Sequence, residues 1–340
     1  MFDVISIGDV TEDVFVGVDK VASVHCHGRS CHLDFKFGTK LAINDVSKLI
    51  GGNAGNVAIG SSRLGLKSAL YAEVGRDSQG ERLLQSLKEN GVSTKYFYLK
   101  KNEKTNYSVV LYFKAERTIL VHHEHRQYKF PRLSKAKWAY LTSMGDGSEK
   151  IFASLLKYVK KNKVILGFNP GTYQLKLGLK KLKPILKQAK FICINTEETQ
   201  RLLKTKKRDF HYLTKKLQET GPEISVITDG PNGTYCYDGE KHYYCPIYEV
   251  PLVERTGAGD AFSTGFLSAL VYNKPVPEAL KWGTLNSASV IQKVGPQDGL
   301  IKLSFLNKII KANPHFKTRE FKSKEILKNR RCYPKKHKKF

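Results

Sequence analysis

The chain has 340 residues, 41% of them hydrophobic and 26% charged, with a formal net charge of +27. That length and apolar content suit one large α/β domain, or a large domain with a small appendage, and exclude a disordered chain. No apolar run approaches the roughly 18 residues of a membrane span, and six scattered cysteines imply no disulfide framework, so a reducing cytoplasm is the expected setting.

Residues 1–8 lack the basic and apolar regions of a signal peptide and predict a buried first strand. Residues 13–50 and 105–125 are rich in β-branched and aromatic residues with alternating polarity, as in Tyr107-Ser108-Val109-Val110-Leu111-Tyr112-Phe113. They predict a small, half-exposed sheet that forms a lid over a ligand cleft. From about residue 50 onward apolar strands alternate with amphipathic helices. Strands are predicted at 68–74, 138–142, 164–168, 191–194 and 224–228, and helices at 56–64, 80–89, 149–160, 179–187, 197–204 and 212–218. Two more helices fall within 257–292. This rhythm predicts βαβ units with right-handed crossovers, hence a three-layer α/β/α sandwich with a mostly parallel central sheet and a small β-sheet lid. Residues 1–300 form the expected main domain, and 301–340 a basic helix and tail holding 14 Lys/Arg against 2 Asp/Glu.

Net charge speaks to solubility and non-specific association, not to fold. Lysines such as Lys157, Lys160, Lys161 and Lys163 read as a solvated helix face. A nucleic-acid-binding or regulatory protein using the tail is the alternative from another class. Arg330-Arg331, Lys335-Lys336 and Lys338-Lys339 suit phosphate contacts, but no recognition module surrounds them.

The chain contains no Gly-x-x-x-x-Gly-Lys-Ser/Thr loop and no Gly-x-Gly-x-x-Gly fingerprint. Two other glycine-rich segments stand out. Thr256-Gly257-Ala258-Gly259-Asp260 precedes an apolar helix, where small residues and the helix N-terminus form an anion hole. A carboxylate there can take a hydroxyl proton while the hole stabilises a transferring phosphoryl group; it can equally be a simple helix cap. Gly51-Gly52-Asn53-Ala54-Gly55-Asn56 leads into another helix and lets a ligand approach the backbone.

Together these segments resemble the two signatures of the ribokinase (PfkB) family of carbohydrate and nucleoside kinases. The first is matched by residues 51–58 with Gly65 and Gly75, the second by Gly257-Ala258-Gly259-Asp260 with Gly265. Asn195-Thr196-Glu197-Glu198 is similar to the family's Asn-x-x-Glu motif, and 228–233 to its nucleotide-side turn. The resemblance spans Gly8 to about Gly299. It implies ATP-dependent transfer of a phosphoryl group to a sugar hydroxyl, with Asp260 as general base and Gly257, Ala258 and Gly259 as anion hole. It implies that Asp13, Gly51, Gly52 and Asn56 hold the acceptor, and that Asn195 and Glu198 organise Mg²⁺. Asp229, Gly230 and Gly233 would lie along the nucleotide, with Asn286 near its base. A nucleoside or a hexose phosphate is the alternative acceptor, the latter with Lys36, Arg117 or Arg126 as cationic partner. Lids of this family often pair across a homodimer.

The sequence departs from the family at Glu254-Arg255, where Asp-Thr is usual. The acidic position often helps hold a monovalent cation, so the resemblance leaves K⁺ activation of this chain open. Thr11 replaces the Asn of ribokinases proper, which argues against assigning ribose. His25, Cys26, His27, Cys31 and His32 lack a second matching half for zinc and read as strand and turn positions. His122, His123 and His125 could line the acceptor pocket but read more simply as exposed lid positions, and Cys193 reads as core packing.

Overall fold

The structure, a computed structural model, describes residues 1–27, 30–43, 45–113 and 116–322. The paired cations at 330–331, 335–336 and 338–339 lie outside the described residues. Strand β1 (Phe2–Ile7) carries the predicted buried run. The chain then leaves the main sheet as β2 (Thr11–Gly17), passes through a hairpin of β3 (Ala22–His27) and β4 (Ser30–Phe35), and returns as β5 (Val46–Gly51). Next come α1 (Asn53–Arg63), β6 (Ser68–Gly75), α2 (Ser78–Glu89) and β7 (Ser93–Lys100). A second excursion makes β8 (Asn106–Phe113) and β9 (Glu116–His122).

The following units supply β10 (Ala136–Leu141), α3 (Phe152–Asn162), β11 (Ile165–Phe168), α4 (Thr172–Leu186) and β12 (Ala189–Asn195). They are followed by α5 (Thr196–Leu202), α6 (Phe210–Gln218) and β13 (Ile224–Thr228). An antiparallel edge of β14 (Thr234–Tyr237) and β15 (His242–Cys245) precedes α7 (Ala258–Val271), α8 (Val276–Val290), α9 (Leu303–Ala312) and β16 (Arg319–Glu320).

Strand order in the large sheet is β16-β15-β14-β13-β12-β11-β10-β1-β6-β7, parallel from β13 to β7 and antiparallel beyond β13. Because side chains alternate across a strand, each strand feeds two cores. Ile5, Ile7, Ala139, Leu141, Ile192 and Ile194 face the layer that includes α3 and α4. Val4, Trp138, Tyr140, Phe191 and Cys193 face α7 and α8, where Cys193 packs as an apolar residue. The chain therefore adopts the expected three-layer sandwich.

The lid is a separate sheet of order β5-β2-β8-β9. The hairpin β3–β4, expected as part of the lid, is a two-stranded sheet of its own. Its register sets Cys26 opposite Cys31, and the two form a disulfide. A close cross-strand pair forms this bond without any framework, which is why counting cysteines missed it. Among the described residues no group of three or more His, Cys, Asp and Glu converges as a metal site, and no helix is long and apolar enough to cross a membrane.

Candidate active site

The acidic and amide side chains of the motifs gather at the carboxyl ends of the parallel strands, the edge where open α/β sheets bind ligands. Asp9 follows β1, Asn195 ends β12, and Asp229 follows β13. The helix α7 starts at the same edge. Gly257 caps it at φ 78°, a left-handed conformation, and a Cβ there would fall 2.4 Å from Pro296 Cβ. The first-turn N–H groups of Gly259 and Asp260 have no intrahelical acceptor, while that of Ala258 is partly satisfied by the Arg255 carbonyl at 3.2 Å.

Asp260 is joined to the other glycine-rich segment. Asn56, in the first turn of α1, donates from Nδ2 to Asp260 Oδ2 at 2.8 Å. Its own Oδ1 accepts from Gln297 Nε2 at 2.9 Å, so the amide is oriented from both ends. Burial pushes the Asp260 carboxyl up to about 6; the Asn56 bond opposes the shift, Asp13 and Glu198 add to it, and Arg117 opposes it.

The segment around Asp13 and Gly51 is equally close-built. Asp13, on β2, is buried and accepts from Thr11 Oγ1 at 2.7 Å. Its carboxylate lies over Gly51, where a Cβ would stand 1.9 Å from Asp13 Oδ2; only glycine leaves room. Gly52 caps α1. Burial raises the Asp13 carboxyl above its ordinary value, against the Thr11 and Ser108 bonds and the nearby His123.

At the end of β12, Asn195 and Glu198 form a capping box for α5. Asn195 Oδ1 takes the Glu198 N–H at 2.8 Å, and Glu198 Oε2 takes the Asn195 N–H at 2.9 Å. The other Glu198 oxygen has no protein hydrogen-bond partner among the described residues. Burial raises this carboxyl too, with the Asn195 N–H working against the shift. One carboxylate oxygen left without a protein partner fits Mg²⁺, which keeps several waters and takes few protein ligands. Asp229 is fully engaged by protein: Arg208 at 2.7 and 2.9 Å, Thr196 at 2.7 Å and Asn232 at 3.0 Å. It anchors the turn in which Gly230 opens and Gly233 closes a 3₁₀ segment.

Asn286 lies on α8 beside the first turn of α7. It is fully buried, donates to the Ala261 carbonyl at 2.7 Å and accepts from the Ile301 N–H at 3.2 Å, so it ties α8 to the first turn of α7.

Residues 20–303 match the pfkB family carbohydrate kinases. The chain belongs to that family. It is 26% identical to an uncharacterized sugar kinase of Archaeoglobus fulgidus over 71% of this chain and 98% of that protein. Its fold matches Arabidopsis thaliana ribokinase complexed with ribose and ATP, with TM-score 0.76 and 20% identity, covering 91% of this chain and 99% of that one. It also matches a putative ribokinase II from E. coli in complex with ATP and Mg²⁺, with TM-score 0.74 and 16% identity, covering 92% and 100%. An ATP-dependent carbohydrate kinase is thus what the sequence encodes.

Asp9 escaped sequence reasoning, and so did the contacts made by several residues that it named. Asp9 is buried and accepts from Tyr128 Oη at 2.8 Å and the Gly145 N–H at 2.7 Å. His122 and His125 are exposed as expected, but His123 turns inward. Its Nδ1 lies 3.8 Å from Asp9 Oδ2, and burial holds the imidazole below its usual value although Asp9 pulls the other way. Arg126 is fully buried and spends its guanidinium on Glu103 at 2.5 Å and the Lys104 carbonyl at 2.6 Å. Its Nε has no hydrogen-bond partner among the described residues, and Lys36 is exposed outside the lid sheet. Arg117 and Glu254 meet where the lid touches the α7 approach. No local pattern could have found these contacts, because they join segments that lie apart in the sequence.

Proposed function

We propose that this kinase transfers the γ-phosphoryl group of ATP to a hydroxyl of a neutral, polyhydroxylated sugar, with Asp260 as the general base. The observation that carries the reading is the 2.8 Å bond from Asn56 to Asp260, which joins the acceptor-side segment to the anion-hole segment across 204 residues of chain. A hydroxyl beside Asp260 would lose its proton to Oδ1 or Oδ2 as its oxygen attacks phosphorus in line. The free N–H groups at the start of α7 would receive the charge on the transferring group. Asn56 fixes the carboxylate's direction, and Asp13 accepts hydrogen bonds from neighbouring hydroxyls of the sugar. Bound Mg²⁺, held near Glu198, supplies charge neutralisation of the phosphates.

Neutrality of the acceptor follows from the acceptor end of the cleft, where Asp9 and Asp13 are buried and Arg126 is committed to Glu103. A phosphosugar would bring a dianion to that acidic end. The test is ADP release with MgATP against neutral sugars, nucleosides and sugar phosphates. Turnover confined to neutral polyols is expected. Turnover confined to sugar phosphates would contradict the acceptor class while leaving the phosphoryl chemistry in place.

A further inference from the structure

Glu254 is a buried carboxylate, 3% exposed in its side chain. Its Oε1 accepts from the Thr256 N–H and Oγ1, both at 2.6 Å, and so sets the backbone that enters the anion hole. Its Oε2 is buried with no hydrogen-bond partner among the described residues. Such a group needs a counter-charge. The cation beside it comes from the lid: Arg117 Nε stands 3.9 Å from Glu254 Oε1 and is itself buried without a hydrogen-bond partner. The adjacent residues pair with the signs reversed, Arg255 Nη1 lying 3.0 Å from Glu116 Oε1. Two neighbouring dipeptides, Glu116-Arg117 on β9 and Glu254-Arg255 ahead of α7, thus form a crossed latch.

We infer that Arg117 is a positioning residue that supplies, on lid closure, the counter-cation of Glu254, so that the anion-hole approach is set without a dissociable monovalent cation. The inference rests on the kinase site proposed above. In the closed state the guanidinium stands within salt-bridge distance of the carboxylate and already supplies the counter-charge that a K⁺ ion would bring. Opening the lid withdraws Arg117, which leaves Glu254 uncompensated and its hold on Thr256 weakened. The phosphoryl site is therefore complete only when the lid covers an acceptor, which restrains ATP hydrolysis by water. Arg117 also favours the ionised form of Asp260, consistent with a cation facing the reaction centre.

The experiment compares the full chain with Arg117→Met, Arg117→Lys, Glu116→Arg and the swap Glu116→Arg with Arg255→Glu, each in KCl and in choline chloride. The readouts are acceptor-dependent ADP release, using the panel sugar that wild type turns over fastest, and affinity for a non-hydrolysable ATP analogue with Mg²⁺. Melting temperatures report folding, and the lysine variant serves if methionine prevents it. Wild type should behave alike in both salts. Arg117→Met should lose about tenfold or more in kcat with little change in acceptor KM, and KCl but not choline chloride should restore part of the loss. Glu116→Arg should weaken activity, and the double swap should recover it. Wild type activated by KCl, or an Arg117→Met loss equal in both salts, would overturn the inference. If no panel sugar is turned over, the acceptor reading fails, and the analogue-binding arm still decides the latch: cation-sensitive affinity in Arg117→Met alone supports it, and equal sensitivity in wild type overturns it.

Discussion

Asp260 is held where an ionised carboxylate is uncomfortable: recessed in protein, near Asp13 and Glu198, with the Asn56 bond and Arg117 offsetting only part of that. A base needs its ionised form, so kcat/KM should fall as pH drops through about 6, and a pH–rate profile flat from pH 5 to 8 would disagree. The same shift acts on stability. The folded group titrates at about 6 against an ordinary 3.8, so the fold binds its proton more tightly than the unfolded chain does. Stability from this group is full below about 3.8 and is lost as pH rises through about 6. Asp260→Asn should therefore melt higher than wild type at pH 8, with the difference vanishing toward pH 4, as calorimetry can read. At Gly51 the constraint is steric: Gly51→Ala places a Cβ against the Asp13 carboxylate and should raise acceptor KM while sparing ATP-analogue affinity.

Among the elements, the parallel strands were the most legible. The run Ile224–Thr228 is β13 residue for residue, because a strand buried on both faces is a continuous apolar run bounded by turn residues. Helix starts were less so. The expected helix at 56–64 begins at Asn53, since Gly55 reads as a turn residue yet packs against Val10. Only the second half of α4 was anticipated, because the element is broken at Gly178, φ 73°, and the predicted segment starts just after that break. Asn286 illustrates the limit for roles. A resemblance implies a place near the base, whereas here the amide bridges α7 and the Ile301 N–H. Asn286→Leu should cost about 1–3 kcal/mol in urea unfolding by leaving those groups unpaired, with ATP-analogue affinity of the folded fraction preserved. Loss of affinity without loss of stability would restore the nucleotide role.

At the scale of the molecule, residues 301–322 are part of the packed fold: Ile301 and Leu306 enter the α7–α8 core, and Phe321 is buried against His242 and Tyr235. Ending the chain after Lys322 should leave turnover and ATP-analogue affinity unchanged, whereas ending it at Leu300 should give insoluble protein. Three buried apolar side chains are lost, at ~2 kcal/mol each. A chain ending at Leu300 that melts like wild type would contradict this packing.

The architecture and the two halves of the site were legible because each is a local signature, Gly51–Asn56 and Gly257–Asp260. What was not legible is Asp9 and the inward contacts of His123, Arg117 and Glu254, which join segments with no common pattern. The central claim is that Asp260 takes the acceptor proton. It is tested most directly by comparing turnover and binding of a non-hydrolysable ATP analogue in Asp260→Asn. The account predicts a loss of about 10³-fold in kcat with analogue affinity kept within about threefold. Near-normal turnover in that variant would contradict it.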